Sequence, residues 1–232
     1  MTDALTTAMA WTELPFAKPF ITAKGTYHER RVLFVRLSAG GVHGYGEASP
    51  LPGFSVETFE DAKDTLTRCV DALEGRPCPG EHEEVSALLA GLEEQNAKLV
   101  PSARFALECA LLDLIAKRRG ESISQMLAPG GQRRDIAVNA TIGADSPAAC
   151  FSNAMEAFER GFSCFKLKVG GRPFQDDLAR VRAVREAIGD AATLRLDANG
   201  AWQRQEAIDN LSKLRHLDIS LIEQPVAAHD IE

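Results

Sequence analysis

From Asp135 onward, apolar strand-like runs alternate with amphipathic helical ones, and this rhythm limits the fold more than any other feature of the chain. "IAVNATI" precedes a helical stretch from Ser146 to Arg160. "SCFKLKVG" precedes one from about Phe174 to Ile188, "ATLRLDANG" one from Gln203 to His216, and "DISLIEQPV" comes last. Strand, helix and strand recurring every ~25–30 residues require parallel βα units, in a doubly wound sheet or a (β/α)8 barrel.

The positions of the charges separate those two folds. Side chains alternate across a strand, so Phe165, Leu167 and Val169 share one face and Lys166 and Lys168 the other. In the next strand Leu194 and Leu196 oppose Arg195 and Asp197, and Asn199 continues the polar side. A doubly wound sheet buries both faces under helices, which leaves no place for a charged face. A barrel has one, because active-site groups project at the C-terminal mouth. Asp197 and Glu223 fall at the C-terminal ends of their strands, where that mouth lies. Arg195, deeper inside, reads as a structural ion-pair partner.

The first part of the chain has a different texture. Residues 8 to 48 are strand-like, with "RVLFVRLSAGGVHGYGEA" turning at Gly40 and Gly41 as a hairpin. Pro50, Pro52 and Gly53 impose an irregular loop. Ser55 or Thr58 then caps a helix carrying Phe59, Ala62, Leu66, Cys69, Val70 and Leu73. Pro101 opens a further helix that Gly120 closes, completing a small α+β unit. The expected domains are therefore 1–130, an α+β unit, and 131–232, the first four βα units of a barrel.

Composition narrows the function. The net charge of −7 and the absence of Lys/Arg runs interleaved with aromatics argue against nucleic acid as a partner. No signal peptide or membrane span is legible, so no membrane partner is expected. Cys69, Cys78, Cys109, Cys150 and Cys164 lack paired spacing and read as reduced thiols of a cytoplasmic protein. A small-molecule carboxylate is the expected partner, with homo-oligomerisation left open.

Asp197 and Glu223, with Asn199 nearby, form an all-oxygen donor set suited to Mg²⁺, or Mn²⁺ in its place, and ill-suited to zinc. Two lysines facing it add positive charge and a base. Repulsion from Lys166, a nearby cation and partial desolvation each favour a neutral Lys168 amine. Such a group suits proton abstraction next to a carboxylate. Singly, a Lys-x-Lys strand reads as an exposed edge and Asp-Ala-Asn-Gly as a turn. Their order at successive strand ends favours a site. No Gly-rich phosphate loop follows a strand, so nucleotide binding is disfavoured.

"FKLKVGG", "LRLDANGAW" and "LIEQPV", in that order after an α+β unit, resemble the enolase superfamily, muconate lactonizing enzyme subgroup. "GYGEASPLPGFSVETFEDA" and "KPFITAKGTYHERRVLFVRL" are similar to the o-succinylbenzoate synthases of menaquinone biosynthesis. The resemblance implies an enolase-like α/β fold, with an α+β N-terminal capping domain before the first half of a (β/α)8-type barrel. It implies a Mg²⁺-dependent lyase in which Lys168 removes the proton alpha to the substrate carboxylate and assists loss of the hydroxyl in a syn dehydration. A lysine base with Mg²⁺ is the general pattern of such sites. Lys166 would assist electrostatically, Asp197 and Glu223 would bind the metal, and Asn199 would touch the substrate carboxylate. Loops around Phe20 to Gly25 and Leu51 to Phe54 would close the mouth, with Phe20 and Phe54 as substrate contacts. Related members racemise N-acylamino acids, epimerise dipeptides or cycloisomerise muconates. The family's third metal carboxylate and opposing lysine lie on later strands, so a chain of four barrel strands reads as a truncated enzyme, as one completed by association, or as a non-catalytic binder.

Overall fold

In the computed structural model, the structure describes residues 3–22, 25–96, 98–131, 135–143 and 146–230. Two compact units divide the chain, residues 1–134 and 135–232.

The first unit is built on an antiparallel meander of β1 (Thr6–Thr22), β2 (Gly25–Ala39) and β3 (Val42–Ala48). Gly40 and Gly41 both have positive φ, which suits the tight turn between β2 and β3. Alternation buries Leu33, Val35 and Leu37 on one face. The helices α1 (Phe59–Leu73), α2 (His82–Asn96), α3 (Pro101–Arg119) and α4 (Ile123–Leu127) follow. Thr58, and not Ser55, caps α1. Its hydroxyl accepts from Asp61 N–H at 3.1 Å while the Asp61 carboxylate accepts from Thr58 N–H at 2.9 Å. Ser55 Oγ instead accepts from Leu51 N–H within the preceding loop.

Helix α3 lies close against β3 because Gly44 and Gly46 carry no side chains. A Cβ on Gly46 would stand 1.8 Å from Ala106 O. Leu66, Leu73, Leu107, Leu111 and Leu114, all fully buried, fill the core beneath the sheet.

The second unit contains β4 (Ala140–Ile142), α5 (Pro147–Glu159), β5 (Cys164–Lys168), α6 (Phe174–Ile188), β6 (Thr193–Asp197), α7 (Arg204–Leu214) and β7 (Ile219–Glu223). Its strands are parallel and adjacent in chain order. This is the progression that successive βα units make as they begin to wind a barrel. Phe165, Leu167, Leu194 and Leu196 are fully buried and pack with Val181, Val184 and Ile188 of α6.

Two boundaries differ from the sequence expectation. Only Ala140–Ile142 of "IAVNATI" forms a strand, because only those residues meet β5, while Ile136 and Val138 are exposed. Helix α7 stops at Leu214 and gives way to a 3₁₀ turn at Arg215–Leu217, after which Asp218 adopts a left-handed conformation. Among the described residues no helix is long and apolar enough to cross a membrane.

Candidate active site

The parallel register carries Lys168 opposite Asp197 and Asp197 opposite Glu223, so the last residues of β5, β6 and β7 form one row. Beneath it Lys166 is opposite Arg195, and Arg195 opposite Leu221. The polar face expected from alternation is therefore present, with its charges gathered at the C-terminal ends of the strands.

Asp197 is the centre of the row and is 1% exposed. Lys166 Nζ lies 2.9 Å and Lys168 Nζ 2.8 Å from the same oxygen, Oδ2. Lys166 also donates to Glu223 Oε2 at 2.8 Å, and Lys168 to Asn199 Oδ1 at 2.9 Å. The second Asp197 oxygen accepts the Asn199 N–H at 3.1 Å. The two lysine Nζ atoms are thus bridged by one buried carboxylate, which offsets the crowding that the Lys-x-Lys spacing suggests.

Burial raises the pKa of Asp197, but the hydrogen bonds from Lys168 and Lys166 outweigh it and hold the carboxyl below its usual range. Burial lowers the pKa of Lys166, and the hydrogen bonds to Glu223 and Asp197 reverse that, so its ammonium is held above the usual lysine value.

Backbone geometry fixes the turns that present these groups. Asn199 and Gln224 have positive φ, 48° and 42°. Ala198 N–H donates to Glu223 O, Gly200 N–H to Gln224 O and Trp202 N–H to Pro225 O. The turns after β6 and β7 are therefore laced together immediately beyond the carboxylates.

The donor set fits a hard divalent cation. Lys166 Nζ already touches both Asp197 and Glu223 carboxylates, so one cation can be shared between them, and every donor is oxygen. Mg²⁺ takes one or two protein carboxylates and fills its octahedron with water or substrate oxygens. No group of three or more His, Cys, Asp or Glu arranged for a metal occurs among the described residues.

Phe20 and Phe54 belong to the first unit and are 39% and 45% exposed. The Phe20 ring lies 6.4 Å from that of Tyr27, whose hydroxyl donates to Pro52 O at 2.6 Å in the loop that carries Phe54. Both thus lie at one end of that unit, beside a cavity of about 530 Å³ lined by Tyr27, Leu51, Pro52 and Phe59. The hairpin tip at residues 23 and 24 lies outside the described residues. Arg195, expected to be ion-paired, is exposed and forms no ion pair among the described residues; its register partners are Lys166 and Leu221, neither of them acidic. Asp177 escaped the sequence reading; the glycine pair at Gly170 and Gly171, separated by one residue from the Lys-x-Lys strand, was read only as too short for a phosphate loop.

Comparison with known proteins decides the family. The mandelate racemase / muconate lactonizing enzyme N-terminal domain matches residues 4–128, and the enolase C-terminal domain-like family matches residues 150–232. The chain belongs to the enolase superfamily, muconate lactonizing enzyme subgroup.

Its fold is accordingly enolase-like α/β, with an N-terminal domain of the capping type and a partial barrel. This enolase-superfamily chain is 34% identical to the L-Ala-D/L-Glu epimerase of Bacillus subtilis, over 94% of itself and 59% of that protein. It is 30% identical to the o-succinylbenzoate synthase of Desulfotalea psychrophila, over 94% of itself and 64% of that protein. The dipeptide epimerase of Enterococcus faecalis, solved with Mg and the dipeptide L-Leu-L-Tyr, superposes with a TM-score of 0.88 at 28% identity, covering 99% of this chain and 63% of that one. The chain thus spans about 60% of the length of these relatives.

Proposed function

We propose that the inner face of β5–β7 removes the proton alpha to the carboxylate of a small molecule. The observation that carries this reading is the row Lys168–Asp197–Glu223, with Lys166 and Asn199 in contact with it. Lys168 is the base, at the open end of its strand. Lys166 keeps a positive charge beside it, and Asn199 is placed to donate to the substrate carboxylate through its side-chain amide. Asp197 and Glu223 would hold Mg²⁺, which supplies positive charge beside the carboxylate on which negative charge grows. Mn²⁺ is the natural substitute.

The specific reaction we propose is dehydration of 2-succinyl-6-hydroxy-2,4-cyclohexadiene-1-carboxylate to o-succinylbenzoate, a step of menaquinone biosynthesis. Lys168 Nζ takes the proton from the carbon bearing the carboxylate. The freed electron pair becomes the new ring double bond, and the neighbouring C–O bond breaks. The proton passes from Lys168 to the departing hydroxyl, which leaves as water. A syn elimination needs one base on one face, and β5 supplies both lysines from a single strand. The stretch Gly44–Ala62, similar to such synthases, supports the same choice, with Phe20 and Phe54 as substrate contacts.

Dipeptide epimerisation is the second reading, favoured by the epimerases among the relatives. It requires a further proton donor on the opposite face of the substrate. One experiment separates the two: the protein with Mg²⁺ is given each substrate, with o-succinylbenzoate followed by absorbance and loss of the dipeptide α-proton in D2O by NMR. Dehydration should proceed and fall by about 10²–10⁴-fold or more in Lys168→Ala. α-Proton loss without dehydration selects the epimerase reading, and substantial turnover by Lys168→Ala removes Lys168 as the base.

A further inference from the structure

The proposed reaction makes no use of Asp177, yet this carboxylate is 1% exposed in the first turn of α6. Its Oδ2 accepts the Gly170 backbone N–H at 2.6 Å, and its Oδ1 accepts from Arg180 Nη1, also at 2.6 Å. Arg180 is itself 5% exposed. Burying two ions is costly, and apolar side chains of similar volume commonly serve stability as well or better. An apolar pair, however, cannot hold a backbone N–H in place.

Gly170 stands two residues beyond Lys168, and the residue between them is already tied to the site. Val169 N–H donates to Asp197 O at 2.9 Å. Gly170 has φ +87°, and a Cβ there would lie 2.5 Å from Ala201 Cβ and 3.1 Å from Ala198 O. The loop after β5 therefore abuts the turn that carries Asn199, with no room for a side chain. Beside this contact the Phe174 ring meets buried Trp202 edge-on at 6.4 Å.

We propose that Asp177 is a positioning residue. By holding the Gly170 N–H it keeps the β5–α6 loop against Ala198–Ala201, and so sets where Lys168 Nζ meets Asp197 and Asn199. Arg180 fixes the direction of the Asp177 carboxylate. The functional meaning of this clamp rests on Lys168 being the base.

Two variants separate acceptor from charge. Asp177→Asn combined with Arg180→Met leaves one uncontested amide oxygen for the Gly170 N–H, and Asp177→Ala leaves none. Should Asp177→Ala fail to fold, the paired change Asp177→Leu with Arg180→Met removes both buried ions while keeping their volume. Amide exchange at Gly170 is read beside Gly189 in glycine-labelled protein, and trace acylation of Lys168 is read beside Lys213. Loss of the acceptor should speed Gly170 exchange by about tenfold or more and raise Lys168 labelling several-fold, leaving Gly189 and Lys213 unchanged. Asp177→Asn with Arg180→Met should restore most of both. In the turnover assays kcat should fall roughly tenfold or more while KM stays within about twofold.

A lowered thermal midpoint with Gly170 and Lys168 unchanged would overturn the inference, since Asp177 would then support only the fold. So would Asp177→Asn with Arg180→Met behaving like Asp177→Leu with Arg180→Met. Absence of turnover in the unaltered protein counts against the proposed reaction alone, because the Gly170 and Lys168 readouts require none and still decide the role of Asp177.

Discussion

The two sheets of this protein follow the same rule of side-chain alternation and reach opposite results. In the antiparallel sheet, Leu33, Val35 and Leu37 turn inward, while Phe34, Arg36, Tyr45 and Glu47 are exposed on the strands' other side. Successive antiparallel strands end at opposite edges, so alternation scatters their outward groups. In the parallel sheet every C-terminal end falls on one edge. Three strands therefore place Lys168, Asp197 and Glu223 in a single row. Direction of the strands, more than composition, turns a polar face into a chemical site.

Buried carboxylates show the same contrast. Glu57 in the first unit accepts the Ser102 N–H at 2.8 Å near the start of α3, and Asp177 in the second serves the Gly170 N–H. Both satisfy backbone donors. Asp197 alone among these three meets two lysine Nζ atoms, at the C-terminal edge of its sheet.

Substitutions can break the contrast in graded steps. The largest effect is expected at Gly46, where any Cβ must push α3 away from β3. Gly46→Val should cost about 3 kcal/mol or more in denaturant unfolding. Leu167→Ala opens a cavity on the oily face of β5 and should cost ~2–5 kcal/mol, although Lys166 and Lys168 on either side are untouched. Lys166→Met should change stability by less than about 1 kcal/mol, because Glu223 is half exposed and Asp197 keeps Lys168. A larger stability loss there would mean that the charged face is mainly a structural element.

The smallest effect is a pH dependence. The folded pKa of Asp197 is depressed, so its contribution is complete above the unfolded value and lost as pH falls through the folded one. The folded pKa of Lys166 is raised, so its contribution is complete below the unfolded value and lost as pH rises through the folded one. Unfolding midpoints measured against pH should decline at the acid and the strongly alkaline end. Asp197→Asn should flatten the acid limb; an unchanged limb would contradict the assigned ion pairs.

Much of the second unit could be read from its sequence. Helix α6 spans Phe174–Ile188 as its apolar spacing indicates, and Lys166 and Lys168 face away from Phe165 and Leu167 as alternation requires. Ile136 and Val138 were misleading because alternation encodes a face and not a partner, and among the described residues no strand pairs with them. Asp177 was illegible for a related reason. An acidic residue in the first turn of a helix usually answers the helix's own N–H groups, and only the fold brings Gly170 to it. The sharing of Asp197 Oδ2 by two lysines likewise depends on the register of β5 and β6, which no single strand encodes.

The most direct test of the central claim uses Mn²⁺ in place of Mg²⁺ and reads paramagnetic broadening of glycine amides. If Asp197 and Glu223 hold a divalent cation, substoichiometric Mn²⁺ should broaden Gly170 and Gly200, beside the row of charges, and leave Gly189, which precedes β6 at the other end of the strands, sharp. Asp197→Asn should abolish the difference. Uniform broadening would show that the charged face of the parallel sheet is not the metal site, and the same selective broadening in Asp197→Asn would remove Asp197 as a ligand.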